Sequence, residues 1–198
     1  MRTTLLAFLT LLLIYCKDEQ IAFSNIDCKV EKTVSPKGTE IRCTGASLSL
    51  KFQLTQQAVE LQDNFITVDS QLIQISALQV SGNKKPLNTL DETAQQQFLS
   101  DYSKYEIDYF TKELHVEVIH PSSQWVTIGA RNWFVWYFRV GKAPAQAGQK
   151  VWVQYFTSTI IDDKVLTLNA PIFVGADFAK AGLIVDQMIR SLSTNNPD

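Results

Sequence analysis

The nine residues Asn132 to Val140, NWFVWYFRV, limit the folds open to this chain more than any other stretch. Side chains alternate across an extended strand, so Phe134, Trp136 and Phe138 point one way while Trp133, Val135 and Tyr137 point the other. Both sets are large and apolar. Such a strand is stable only where both faces of its sheet are covered, which excludes an open sheet with one wet side. All four tryptophans, Trp125, Trp133, Trp136 and Trp152, fall within 28 residues, and Tyr155 and Phe156 lie in the next strand-like run, KVWVQYFTSTI, at 150–160.

Two segments have the period needed to supply the covering layers. Phe98, Tyr102, Tyr105 and Tyr109 recur at helical spacing, and a Thr-x-x-Glu capping box at Thr89 and Glu92 precedes them, predicting a long helix over 90–112. Phe178, Ala181, Val185, Met188 and Leu192 repeat the pattern after Asp177, a good N-cap, and predict a C-terminal amphipathic helix. The rest reads as strands: 38–54 with a phase change near Gly45, one or two strands over 63–80, Leu114, Val116 and Val118 in alternation, and 124–128. Asp162 and Asp163 mark a hairpin turn. Strands in runs with only two long helices predict an α+β fold, an antiparallel sheet packed by a long central helix and a C-terminal helix.

The amino terminus has a different character. Met1 and Arg2 lead into an apolar stretch from Leu5 to Tyr15, about half the length a membrane-crossing helix needs and the size of a secretory signal core. The reading divides the chain into a signal peptide (1–15), a tether (16–27), a single α+β domain (28–193) and a disordered tail (194–198). Exported chains meet oxidising conditions, where three cysteines leave one without a partner. Cys28 and Cys43 flank a segment with a Pro-Lys-Gly turn at its centre, so two readings stay open: a disulfide, which for a loop of this size contributes about 3 kcal/mol, or two buried thiols.

Leu13 to Cys16, LIYC, resembles the lipobox of bacterial lipoproteins, with Leu at −3 and an apolar residue at −2. Tyr15 departs from the small residue usual before the cysteine. Spirochaete lipoboxes are looser at this position, and Lys17, Asp18 and Glu19 are similar to the acidic tract that follows the lipidated cysteine in surface lipoproteins of the Bacteroidetes. The resemblance implies a diacylglyceryl group and an N-acyl chain such as palmitate on Cys16, and so an exported protein anchored to a bacterial membrane, the outer rather than the inner. An ordinary secreted protein is the alternative. The element order over 40–193, with the ending VLTLNAPIFVGADFAKAGLIVDQMIRSL, resembles the Mog1/PsbP-like α/β/α sandwich, whose members mostly serve as binding or assembly modules.

Chemistry-bearing motifs are sparse. GASLS at Gly45 to Ser49 lacks the final glycine of a nucleophile elbow. His115 and Glu117 alternate onto one face and His120 onto the other, too few convergent ligands for a metal site, and no glycine-rich phosphate loop is present. The formal net charge of −2 offers no basic surface for nucleic acid. No cofactor is expected. The expectation is a non-enzymatic envelope lipoprotein, with the membrane as one partner and another envelope protein or an apolar ligand as a second. A hydrolase and a carrier of an apolar ligand are the alternatives. Trp133, Trp136, Tyr137, Trp152 and Tyr155 form the candidate patch for that ligand or partner, against the alternative that they are core.

Overall fold

A computed structural model describes residues 12–13, 22–26, 28–45, 48–57, 59–81, 85–129, 131–144 and 150–194. Cys16 lies outside the described residues. The strands in chain order are β1 (Leu12–Leu13), β2 (Ala22–Asn25), β3 (Lys29–Ser35), β4 (Gly38–Gly45), β5 (Leu48–Leu54), β6 (Val59–Gln62), β7 (Phe65–Val68) and β8 (Gln71–Ser81). After helix α1 (Glu92–Lys112) come β9 (Val118–Ile128), β10 (Arg131–Val140), β11 (Val151–Ile161) and β12 (Lys164–Phe173), then helix α2 (Phe178–Ser191) and β13 (Ser193–Thr194). The fold is α+β, and every strand pairing is antiparallel.

Two sheets form where the sequence reading foresaw one. The larger has the order β1-β2-β8-β12-β11-β10-β9, with the β6–β7 hairpin joined to β8, and the smaller has the order β13-β5-β4-β3. β10, apolar on both faces, lies inside the larger sheet, where its two sets of side chains enter two different cores. Phe134, Trp136 and Phe138 pack with Leu99 and Tyr102 of α1, while Trp133 packs with α2 and the smaller sheet. The helices therefore cover opposite faces. α2 shares its layer with β3–β5, which makes the protein richer in strands than a helix-covered sandwich. Periodicity identifies strands without identifying their partners, which is why the second sheet was not separable beforehand.

Local chemistry places the helices. α2 starts where Asp177 accepts a hydrogen bond from the Ala179 N–H at 2.8 Å, and it buries Ala181, Ile184, Val185, Met188 and Ile189. Each of these large side chains gains on the order of 1.5–3 kcal/mol from burial. α1 is capped by Asp91, which accepts from the Ala94 N–H at 2.8 Å, not by the expected Thr89 box. Residues Leu87–Thr89 form a 3₁₀ turn in which the Thr89 hydroxyl donates to the Pro86 carbonyl, and the N-cap falls two residues later, beyond this turn.

Three other boundaries differ from the reading. Leu114 and Val116 precede β9 instead of belonging to it, because His115 adopts a left-handed φ of 53° that breaks the extended run. Residues 22–25, read as tether, form β2 and pair with Leu78–Ser81 of β8, and Phe23 packs its ring on Phe98, Tyr102 and Tyr105 of α1. Thr194, read as tail, pairs with Leu50.

Cys28 and Cys43 are joined in a disulfide, with Cα atoms 5.3 Å apart. The bridge sits beside the β3–β4 hairpin, whose turn needs Gly38 at a φ of 116°, since a Cβ there would collide with the Leu54 carbonyl. Alkylation of the unfolded chain is expected to leave both cysteines unlabelled until a reductant is added. Equal labelling with and without reductant would rule the bridge out.

Candidate functional site

The five patch residues separate by depth. Trp133 and Trp136 are buried, whereas Tyr137 and Tyr155 are half-buried and Trp152 is 40% exposed. Trp136 stacks on Phe156 with ring centroids 3.9 Å apart and planes 6° from parallel, and Phe110 of α1 meets Phe138 edge-on at 5.2 Å. Rings fill this layer. Tyr137 and Tyr155 are register partners on β10 and β11, and both meet the ring of Phe178 edge-on, at 6.0 and 5.6 Å. Phe178 heads the apolar repeat of α2, and there it lies at the surface, 38% exposed. Trp152 is covered on one side by the Arg139 guanidinium, 5.9 Å from its ring centre, a favourable cation–π arrangement.

A second constellation lies beneath α1, where the sequence reading had none. The Trp136 indole N–H donates to Ser158 Oγ at 3.3 Å, and the hydroxyls of Ser158 and Thr167 are 2.9 Å apart on paired positions of β11 and β12. Tyr102 lies in the same buried layer, where Thr167 and Glu106, its neighbour one helical turn on, both act on its hydroxyl. One direction of donation satisfies the strand pair: indole to Ser158, and Ser158 to Thr167. The Ser158 hydroxyl then accepts once and donates once, which is how polar groups survive in an apolar layer.

Beside Tyr102 stands an unusual acid. Burial pushes the Glu106 carboxyl up to about 7, and the Tyr102 hydroxyl donating to it only partly offsets this. Burial followed by the Glu106 charge raises Tyr102 well above the ordinary phenol range, and the same two causes push Tyr105 up to about 12. Glu106 therefore exchanges a proton near neutral pH while most carboxylates remain charged. The signal for it was present in the sequence: position 106 is four residues from Tyr102 and falls on the tyrosine stripe of α1, where a carboxylate is out of place.

His115 and His120 are both exposed, and Glu117 accepts a hydrogen bond from the Lys142 backbone N–H at 2.9 Å. Among the described residues no group of three His, Cys, Asp or Glu side chains converges as a metal site would require, and no helix is long and apolar enough to cross a membrane.

No protein-family model matches the chain, and no curated protein matches it. Among solved structures, the solution structure of cyanobacterial PsbP (CyanoP) from Synechocystis sp. PCC 6803 is similar over 84% of this chain and 92% of that chain. The identity is 8% and the TM-score 0.41, a level at which function does not pass from one chain to the other.

Proposed function

We propose that this chain is an exported lipoprotein, tethered to the bacterial outer membrane through Cys16, whose domain is a non-enzymatic binding or assembly module of the cell envelope. The observation that carries the binding role is the surface group of Tyr137, Tyr155 and Phe178, with Trp152 beside Arg139. The half-buried Tyr137 and Tyr155 and the exposed Trp152 combine an apolar body with a polar edge, and Tyr and Trp are among the residues most often used as anchors in protein recognition. Support for the anchor comes from the lipobox-like LIYC, and the disulfide suits an oxidising compartment. On element order we read the domain as a relative of the Mog1/PsbP-like sandwich, with β3–β5 sharing the layer of α2. The binding role follows from that reading by analogy.

Two arms test the proposal with the full chain in native membranes. Intact mass is expected to show acyl groups on an N-terminal Cys16, and Cys16→Ala should move the protein into the soluble fraction. A photo-crosslinking residue at position 178 is expected to capture one discrete envelope protein, while the same residue at Lys112 captures none. An unmodified start elsewhere than Cys16 would refute the anchor, and equal, diffuse labelling from both positions would refute the aromatic surface.

A further inference from the structure

β9 closes one edge of the larger sheet, and among the described residues no strand pairs with its outer side. A free edge offers a row of unpaired N–H and C=O groups, which proteins ordinarily protect with charges, prolines, bulges or short length. The first third of β9 is protected in this way. His120 has a φ of 51°, Pro121 has no N–H, and the β9–β10 register shifts between Tyr137 and Arg139. From Ser122 to Ile128 the pairing with β10 is unbroken, and the sequence SSQWVTI contains no charged residue. Ser122, Ser123, Gln124 and Trp125 are exposed in succession, so both faces of the strand are open there as well as its edge. Trp125 is 36% exposed and rests on Phe134 with ring centroids 4.5 Å apart, which fixes the indole in place before any partner arrives.

We infer that Ser122–Ile128 is a homodimerisation edge, where β9 of one copy pairs antiparallel with β9 of a second across a two-fold axis at Trp125. The inference is independent of the lipid anchor and of the Tyr137–Tyr155–Phe178 surface. A two-fold axis makes the contact self-complementary, so every residue must tolerate the partner that symmetry gives it. Centring on Trp125 sets Gln124 opposite Val126, Ser123 opposite Thr127, and Ser122 opposite Ile128. Trp125 meets its own copy, the kind of cross-strand aromatic pair that stabilises a sheet. Two chains of net charge −2 repel at long range, and an uncharged strand is the edge along which they meet without like charges opposed. A single seven-residue strand pair covers well under the roughly 800 Å² per partner of a standard interface, so the dimer should dissociate on dilution.

The test is native mass spectrometry of the full chain released from detergent over a dilution series, with circular dichroism to check folding. Wild type is expected to give a concentration-dependent dimer and no higher species. Trp125→Lys, at an exposed position, should keep the fold and weaken the dimer about tenfold or more, because symmetry sets the two lysines directly opposite each other. Trp125→Phe should retain it. Trp125→Cys, oxidised in membranes, should crosslink to its own copy. A monomer at every concentration, a dimer insensitive to Trp125→Lys, an open ladder of oligomers, or crosslinking of position 125 to a different protein would each overturn the proposal.

Discussion

Replacing Trp136 with alanine is expected to cost about 4 kcal/mol of folding free energy, near the top of the range for a buried aromatic truncation. Three losses coincide at this position. The indole is 1% exposed and lies flat on Phe156, so its removal leaves a gap beside that ring which the surrounding packing cannot fully close. The Ser158 hydroxyl loses its donor in a buried layer. The apolar area formerly removed from water is lost as well. Against a total stability of roughly 5–15 kcal/mol, a change of this size shifts the urea midpoint strongly. Trp125→Ala, at a residue 36% exposed, is expected to cost less than about 1.5 kcal/mol, and provides the internal comparison. Similar midpoints for the two variants would mean that Trp136 does not occupy the sealed position between sheet and helix.

The same contrast shows what could be read from the residues and what could not. Alternation in NWFVWYFRV correctly required two covered faces, and the spacing of Ala181, Val185 and Met188 after Asp177 placed α2 and its buried stripe. Alternation assigns a side chain to a face without giving its depth. Trp133 and Trp136 were therefore grouped with Tyr137, Trp152 and Tyr155 by residue type, although they belong to two separate interiors. Phe178 heads the apolar repeat of α2, and only the tertiary arrangement reveals that it meets Tyr137 and Tyr155 at the surface instead of inside the core. Ser158 and Thr167 looked like ordinary strand hydroxyls until pairing of β11 with β12 set them side by side beneath Tyr102. The edge exposure of β9 depends on sheet order, a long-range property that no local window of sequence contains.

Glu106→Gln is expected to flatten the fall in stability between pH 4.5 and 7 and to leave the protein roughly 3 kcal/mol more stable than wild type at pH 8. The sign follows from which state holds the proton. Burial raises the folded-state value of Glu106 from 4.5 to about 7, so between those limits the folded protein keeps a proton that the unfolded chain releases. Stability is therefore full below 4.5, declines as pH rises through that window, and carries the whole cost of charging the buried group above 7. The ion-paired carboxylates act oppositely. Hydrogen bonds from Lys51 and Arg42 to Glu40, and from Lys164 and Gln79 to Asp163, hold both acids below their ordinary values. Their contribution is present above pH 4 or so and is lost as the solution becomes more acidic, so the two effects occupy different parts of a titration. Glutamine keeps an oxygen that can accept a hydrogen bond but cannot ionise, which removes the charging cost while preserving an acceptor beside Tyr102. Tyr102→Phe provides a complementary test. Without the Tyr102 hydroxyl the carboxylate loses the group that offsets its burial, so the decline, still beginning near 4.5, should extend to higher pH and the penalty at pH 8 should grow. Urea unfolding of wild type and both variants at pH 4.5, 6, 7 and 8 measures these slopes. A Glu106→Gln profile parallel to wild type would show that the carboxyl titrates as an ordinary solvated acid.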